Sequence, residues 1–108
     1  MKIILFSLPK NFEGQLKKIQ INAIKSWITL KPRPSIVLFG DEKGTEIIAK
    51  KYQLKHFSKI KRNKFSAPLL NYLFEQIQKY FHSDIYVYIN ADIILKQDFI
   101  KTINSSYK

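Results

Sequence analysis

Apolar positions in this chain follow two rhythms that alternate along its length. Ile3–Leu8 is an unbroken apolar run, as expected of a strand buried on both faces. Ser35–Phe39 and Ile85–Ile89 repeat that pattern, and Leu54–Phe57 is a weaker version of it. Between these runs the spacing lengthens to three or four. Leu16, Ile19, Ala23, Trp27 and Leu30 form one stripe of a helix over Gln15–Leu30. Ile48 and Tyr52 share a face of a short helix over Thr45–Tyr52. Leu69, Leu70, Leu73, Phe74, Ile77 and Phe81 give a third helix a wide apolar face, with Ser66 able to cap it and Pro68 tolerated in its first turn.

The breaks are equally legible. Lys31-Pro32-Arg33-Pro34 stops the first helix, because proline lacks the amide donor and restricts the residue before it. Pro9–Gly14, the Gly40-Asp41-Glu42-Lys43-Gly44 turn and a basic loop over Ser58–Phe65 come after the first three strands. After the fourth strand come the Asn90-Ala91-Asp92 turn and a short extended piece over Ile93–Leu95. A last helix starts at Phe99, with Asp98 as its cap.

Strand and helix thus alternate three times before the final strand. Helical connections between strands imply a parallel sheet with right-handed crossovers and helices on both faces. The fold expected is α/β, a Rossmann-like three-layer sheet in the order 3-2-1-4, half of a doubly wound fold. The first and fourth strands should be adjacent and central. Ligands of such sheets bind beyond the carboxyl ends of the strands, near the point where the order reverses. The segments after the strands should therefore bring together Asp41, Glu42, Lys59, Lys61, Arg62, Asn63, Asn90 and Asp92.

Bulk properties narrow the classes. A chain of 108 residues allows one domain, here 1–108, and 45% hydrophobic content with eight Phe, six Tyr and one Trp supplies its core. No run approaches the roughly 20 apolar residues of a membrane span. Met1–Pro9 imitates a signal peptide, but its apolar core is short and no small-residue cleavage site comes after it, so a buried first strand is the better reading. The absence of cysteine excludes disulfides and thiolate metal sites and fits a reducing, cytoplasmic location. The net charge is +11, and all but two of the 19 basic residues (Arg33 and Arg62) are lysines. They are dispersed along the chain, whereas a phosphate-reading surface would cluster them and favour arginine. They read as a solvated surface, with a polyanionic partner left open.

Among residues able to do chemistry, Asp92 stands first, because it lies in the turn directly after the Ile85–Ile89 run and should sit at the mouth of the sheet. A carboxylate there can hold Mg²⁺ or Mn²⁺, which uses few protein ligands plus substrate phosphates and neutralises charge on a diphosphate leaving group. The plainer alternative is a turn aspartate that bonds its own backbone. Asp41 between Gly40 and Gly44 equally suits a simple strand-to-helix turn, and Arg62 with its lysine neighbours a solvated loop. Asn22 and Ser26 share a helix face and are expected to bond locally. Trp27 is expected in the core. His56 and His82 lack any partner at metal spacing.

Phe39-Gly40-Asp41-Glu42, then Arg62-Asn63 before a Pro-Leu-Leu helix, then Tyr88-Ile89-Asn90-Ala91-Asp92-Ile93-Ile94-Leu95 resembles glycosyltransferases of the GT-A fold. Gln20–Trp27 also looks like that group, which is bacterial and similar to the family-two enzymes. The resemblance covers nearly the whole chain and implies the N-terminal, nucleotide-sugar-binding half of the fold. It implies that Asp92 matches the second aspartate of a variant Asp-x-Asp motif, the usual ligand of a divalent cation (Mn²⁺ or Mg²⁺) and the diphosphate. Asn90 stands where the first aspartate would be, a neutral and poorer ligand. Phe6, Ser7, Leu8, Pro9 and Asp41 match regions that cradle the nucleoside, and Arg62 and Asn63 a stretch that contacts base or phosphate. The acceptor pocket and catalytic carboxylate of such enzymes are expected downstream, so the chain is read as a donor-binding fragment or a truncated product, and sugar transfer by it alone is not expected. Three readings compete, in this order: a glycosyltransferase or its donor-binding half with an unknown acceptor; a non-catalytic nucleotide-binding or partner-docking module; and a basic nucleic-acid-binding protein, for which no recognition motif is present.

Overall fold

A computed structural model describes residues 2–58 and 66–106, and these residues form four strands and four helices. They run β1 (Ile3–Ser7), α1 (Gly14–Ile28), β2 (Ser35–Phe39), α2 (Thr45–Lys51), β3 (Lys55–Phe57), α3 (Ser66–Tyr80), β4 (Ile85–Tyr88) and α4 (Asp98–Ser106). The strands form one sheet in the order β3-β2-β1-β4. Every neighbouring pair is parallel: Leu5 pairs with Ile36 and with Val87, and Leu38 with His56. β1 and β4 are adjacent as expected, but β4 is the outermost of the described strands and not a central one, because no described strand pairs with its far side.

Alternation along the strands divides the core into two layers. Ile3 and Leu5 of β1, with Ile36 and Leu38 of β2, pack against Ala23, Ile24 and Trp27 of α1, Ile48 and Ala49 of α2 and Ile100 of α4. Ile4, Phe6, Val37 and Phe39 point the other way, onto Leu73 and Ile77 of α3. Two successive crossovers, through α1 and α2, therefore cover one face while the sheet grows from β1 to β3. The return to β4 through α3 covers the other, and the strand order reverses between β1 and β4. The α3 layer is aromatic: Phe6 makes edge-on contacts with Phe39, Phe74 and Tyr88 at centroid distances of 6.0, 4.9 and 5.5 Å.

Three local expectations are corrected. The buried stripe of α1 is Gln20, Ala23, Ile24 and Trp27, whereas Ile19 is 40% exposed. Ala23, Trp27 and Leu30 are buried as expected, while Gln20, whose amide is hydrogen-bonded to the Lys10 backbone, takes a core position in place of Ile19. The same helix ends at Ile28, with Thr29 as its C-cap donating to the Lys25 carbonyl. Asp98 lies within the first turn of α4 and does not precede it, and there a carboxylate favours the helix dipole. The basic loop expected after β3 falls, apart from Ser58, outside the described residues.

Candidate functional site

An all-parallel sheet sends the segments after its strands to one edge, and the reversal between β1 and β4 selects two of them. After β4, the Ile89 amide still bonds the Phe6 carbonyl (3.0 Å), and the chain then turns. The Ile93 amide closes that turn onto the Asn90 carbonyl at 3.1 Å. Ala91 is buried in the α1 layer, while Asn90 and Asp92 on either side of it are exposed. The turn thus anchors by its middle residue and presents the two polar ones outward. No described residue donates a hydrogen bond to the Asp92 carboxylate, nor does it bond its own backbone as an ordinary turn aspartate would.

Helix α1 fixes the segment after the turn. The Trp27 indole N–H donates to the Ile93 carbonyl at 2.8 Å. Ser26 Oγ donates to the Ala23 carbonyl at 2.6 Å and also accepts from the Leu95 amide at 2.9 Å. Ser26 therefore bonds beyond its own helix as well as locally, while Asn22 is exposed. Gln97 closes the far end of the segment, accepting from the Lys31 amide at 3.0 Å and donating to the Lys31 carbonyl. Trp27 is completely buried, as expected of a core residue, and its polar edge is used as well.

The segment after β1 is equally constrained. Gln20 Oε1 accepts from the Lys10 amide (2.8 Å) and its Nε2 donates to the Lys10 carbonyl (3.0 Å). Phe12 is buried against the turn after β2, where its amide donates to the Lys43 carbonyl (2.8 Å) and the Lys43 amide donates to Asn11 Oδ1 (2.9 Å). Glu13 accepts from Lys43 Nζ at 2.7 Å in an exposed pair, which raises the lysine's pKa, and makes no capping bond to α1. The first two strand-following segments are thereby latched together. Behind them the Gly40 amide bonds the Phe57 carbonyl, and the Gly40 carbonyl lies 2.6 Å from His56 Nε2.

The other residues singled out in the sequence divide by burial. Phe6 and Ser7 are fully enclosed and Pro9 is buried, so contact with a ligand from these positions falls to backbone atoms, and only Leu8 is partly open. Ser7 Oγ has no hydrogen-bond partner, and neither does the buried Thr45 Oγ1 at the start of α2. Asp41 is exposed on the turn after β2 and shares the edge with Asn90 and Asp92. Arg62 and Asn63 lie outside the described residues. Tyr88, at the end of β4, is half-buried, and loss of hydration pushes its hydroxyl pKa up.

Among the described residues no three His, Cys, Asp or Glu side chains converge to hold a metal ion. A cation at Asp92 would take its remaining ligands from water and a bound phosphate. An open groove of about 450 Å³, lined by Lys31, Pro32, Gln97, Asp98, Ile100 and Lys101 among others, lies between the end of α1 and α4 and includes none of the candidate residues.

No protein-family model matches the chain, and no curated protein matches it. The site therefore rests on its own geometry. No helix among the described residues is long and apolar enough to cross a membrane.

Sequence reasoning missed Gln20 as an architectural residue. Its signal was a glutamine one position from the apolar stripe on a helix facing the sheet, and that position gains meaning only once the Lys10 backbone is seen beside it.

Proposed function

We propose that this chain binds a nucleotide-diphosphate sugar at the carboxyl edge of its sheet and is the donor-binding half of a GT-A-type glycosyltransferase. The observation that carries the reading is the Asn90-Ala91-Asp92 turn. It stands at the reversal between β1 and β4 with both polar side chains outward and the Asp92 carboxylate unengaged by any described residue. In this reading Asp92 holds Mn²⁺ or Mg²⁺ together with the two phosphates, Asn90 contacts the ribose or the metal, and Asp41 contacts the nucleoside. The cation relieves repulsion between adjacent phosphates and anchors them. A metal that dehydrates reluctantly and takes most of its ligands from water and phosphate suits a site with one carboxylate.

Calorimetric titration of UDP and GDP, with and without Mn²⁺, tests this. The parent chain is expected to bind weakly, with a metal-dependent gain on the order of tenfold, about 1.4 kcal/mol. Asp92→Asn removes most of that gain, and Asn90→Asp enlarges it. Asp41→Ala weakens binding with or without metal. If Mn²⁺ changes nothing in the parent chain, Asp92 is a turn residue only.

The dispersed lysines carry a separate expectation. Binding to duplex DNA should be weak, indifferent to sequence and steeply reduced by added salt. Tight binding to one sequence at physiological salt would replace the nucleotide reading with a nucleic-acid one.

A further inference from the structure

We infer that Lys10 is an anion-contacting residue of this edge, gripping a diphosphate from the β1 side while Asp92 acts through a cation from the β4 side. This role for Lys10 deepens the nucleotide-binding reading and rests on it. Its basis is the use made of Gln20. A glutamine that is 2% exposed in a helix is costly unless both ends of its amide are bonded. Both ends go to the peptide groups of one residue, Lys10, through the 2.8 and 3.0 Å bonds. An exposed loop lysine that merely solvates the surface needs no such constraint. Here its backbone is held by a rigid helix while its side chain is exposed. Among the described residues no carboxylate pairs with Lys10, in contrast to Lys43 with Glu13 and Lys50 with Glu46.

One helix also sets the spacing. Gln20 holds Lys10, and Trp27 holds the Ile93 carbonyl immediately after Asp92. Those two anchors are seven residues apart on α1, or about 10 Å at 1.5 Å per residue. The charges call for a second cationic group. Asn90 is neutral, so Asp92 would be the only anionic side chain at the cation, and a weakly retained cation would leave much of the diphosphate's charge unbalanced. A lysine ammonium supplies the balance as a point charge donating to phosphate oxygens.

The experiment titrates inorganic pyrophosphate and UDP, in EDTA and in Mn²⁺, against the full chain and four variants. Lys10→Gln is expected to weaken pyrophosphate binding in EDTA by at least about tenfold. Lys10→Arg should restore most of it. Gln20→Leu should also weaken it, with the melting transition still cooperative and Lys10 amide exchange accelerated. Lys79→Gln, an equal loss of charge in the last turn of α3, should change it less than about twofold. Failure of the parent to bind pyrophosphate, or equal losses in Lys10→Gln and Lys79→Gln, overturns the assignment. UDP binding in EDTA unaffected by Lys10→Gln overturns it while leaving the nucleotide reading standing. Pyrophosphate binding that depends on Lys10, without UDP binding, upholds Lys10 and removes the nucleoside.

Discussion

Replacing Trp27 with alanine is expected to destabilise the fold by about 3–5 kcal/mol, the range for emptying a large, fully buried aromatic site. That is a large part of the roughly 5–15 kcal/mol that holds a typical domain together. Trp27 is completely enclosed and packs in the layer shared by the sheet, α1 and α4. Its N–H is also the donor to the Ile93 carbonyl, so truncation orphans a backbone acceptor next to Asp92. Trp27→Phe separates the two roles. It keeps most of the apolar bulk and removes the donor, for an expected cost of about 1–3 kcal/mol. Chemical denaturation measures both costs, and hydrogen exchange locates the second. In Trp27→Phe the Leu95 amide, which donates to Ser26 Oγ, should exchange faster, while amides of β1 and β2 change only with global stability. If Leu95 keeps its relative protection, the indole bond is not what holds the segment after the turn.

Much of this arrangement is legible in the chain because its signals are local. The apolar runs at Ile3–Leu8, Ser35–Phe39 and Ile85–Ile89 fall within one residue of the strands they form. β1 and β2 are buried by layers on both faces, so almost every residue there must be apolar, whereas β4 at the sheet edge is only half-buried and admits Tyr86 and Tyr88. Strand order comes from alternation and crossover handedness. Exposure of Asn90 and Asp92 comes with it, since a turn at the end of a buried strand can bury its small middle residue and leave its polar neighbours outside.

The features that escape a sequence reading depend on pairs of residues far apart in the chain. Gln20 and Lys10 are ten residues apart and Trp27 and Ile93 sixty-six. In each the partner is a backbone group, which carries no trace in the sequence. Counting apolar residues gives α1 the stripe Leu16, Ile19, Ala23, Trp27 and Leu30, of which Ala23, Trp27 and Leu30 are buried, but Gln20 and not Ile19 faces inward. Hydrogen bonds to Lys10 lower the cost of burying that amide, and Ile19 is left at the surface. For the same reason the sequence presents the β1 candidates as a block, although Phe6 and Ser7 are sealed beneath the edge and Leu8 is partly open.

Gly44 is where the two latched segments leave least room. Its φ of +88° lies in the left-handed region, and a Cβ built there would stand 2.8 Å from Phe12 Cβ, closer than such atoms approach. Gly14 offers the natural comparison, because its φ is +55° and nothing lies within 4 Å of the position its Cβ would take. Gly14→Ala should therefore cost only the left-handed backbone term, about 1–2 kcal/mol. Gly44→Ala should add about 1–3 kcal/mol of overpacking, since the obstructing atom is the first carbon of a buried side chain and cannot swing aside. Relief requires the Phe12 backbone to move, and that backbone donates the 2.8 Å bond to the Lys43 carbonyl. The same displacement would reach Lys10 two residues earlier, so Gly44→Ala should also weaken pyrophosphate binding where Gly14→Ala does not. Urea unfolding of both variants at the same temperature measures the stability difference, and titration measures the second effect. Equal destabilisation would mean that the turn after β2 yields to the added methyl, and that Phe12 and Gly44 do not lock the edge of the sheet.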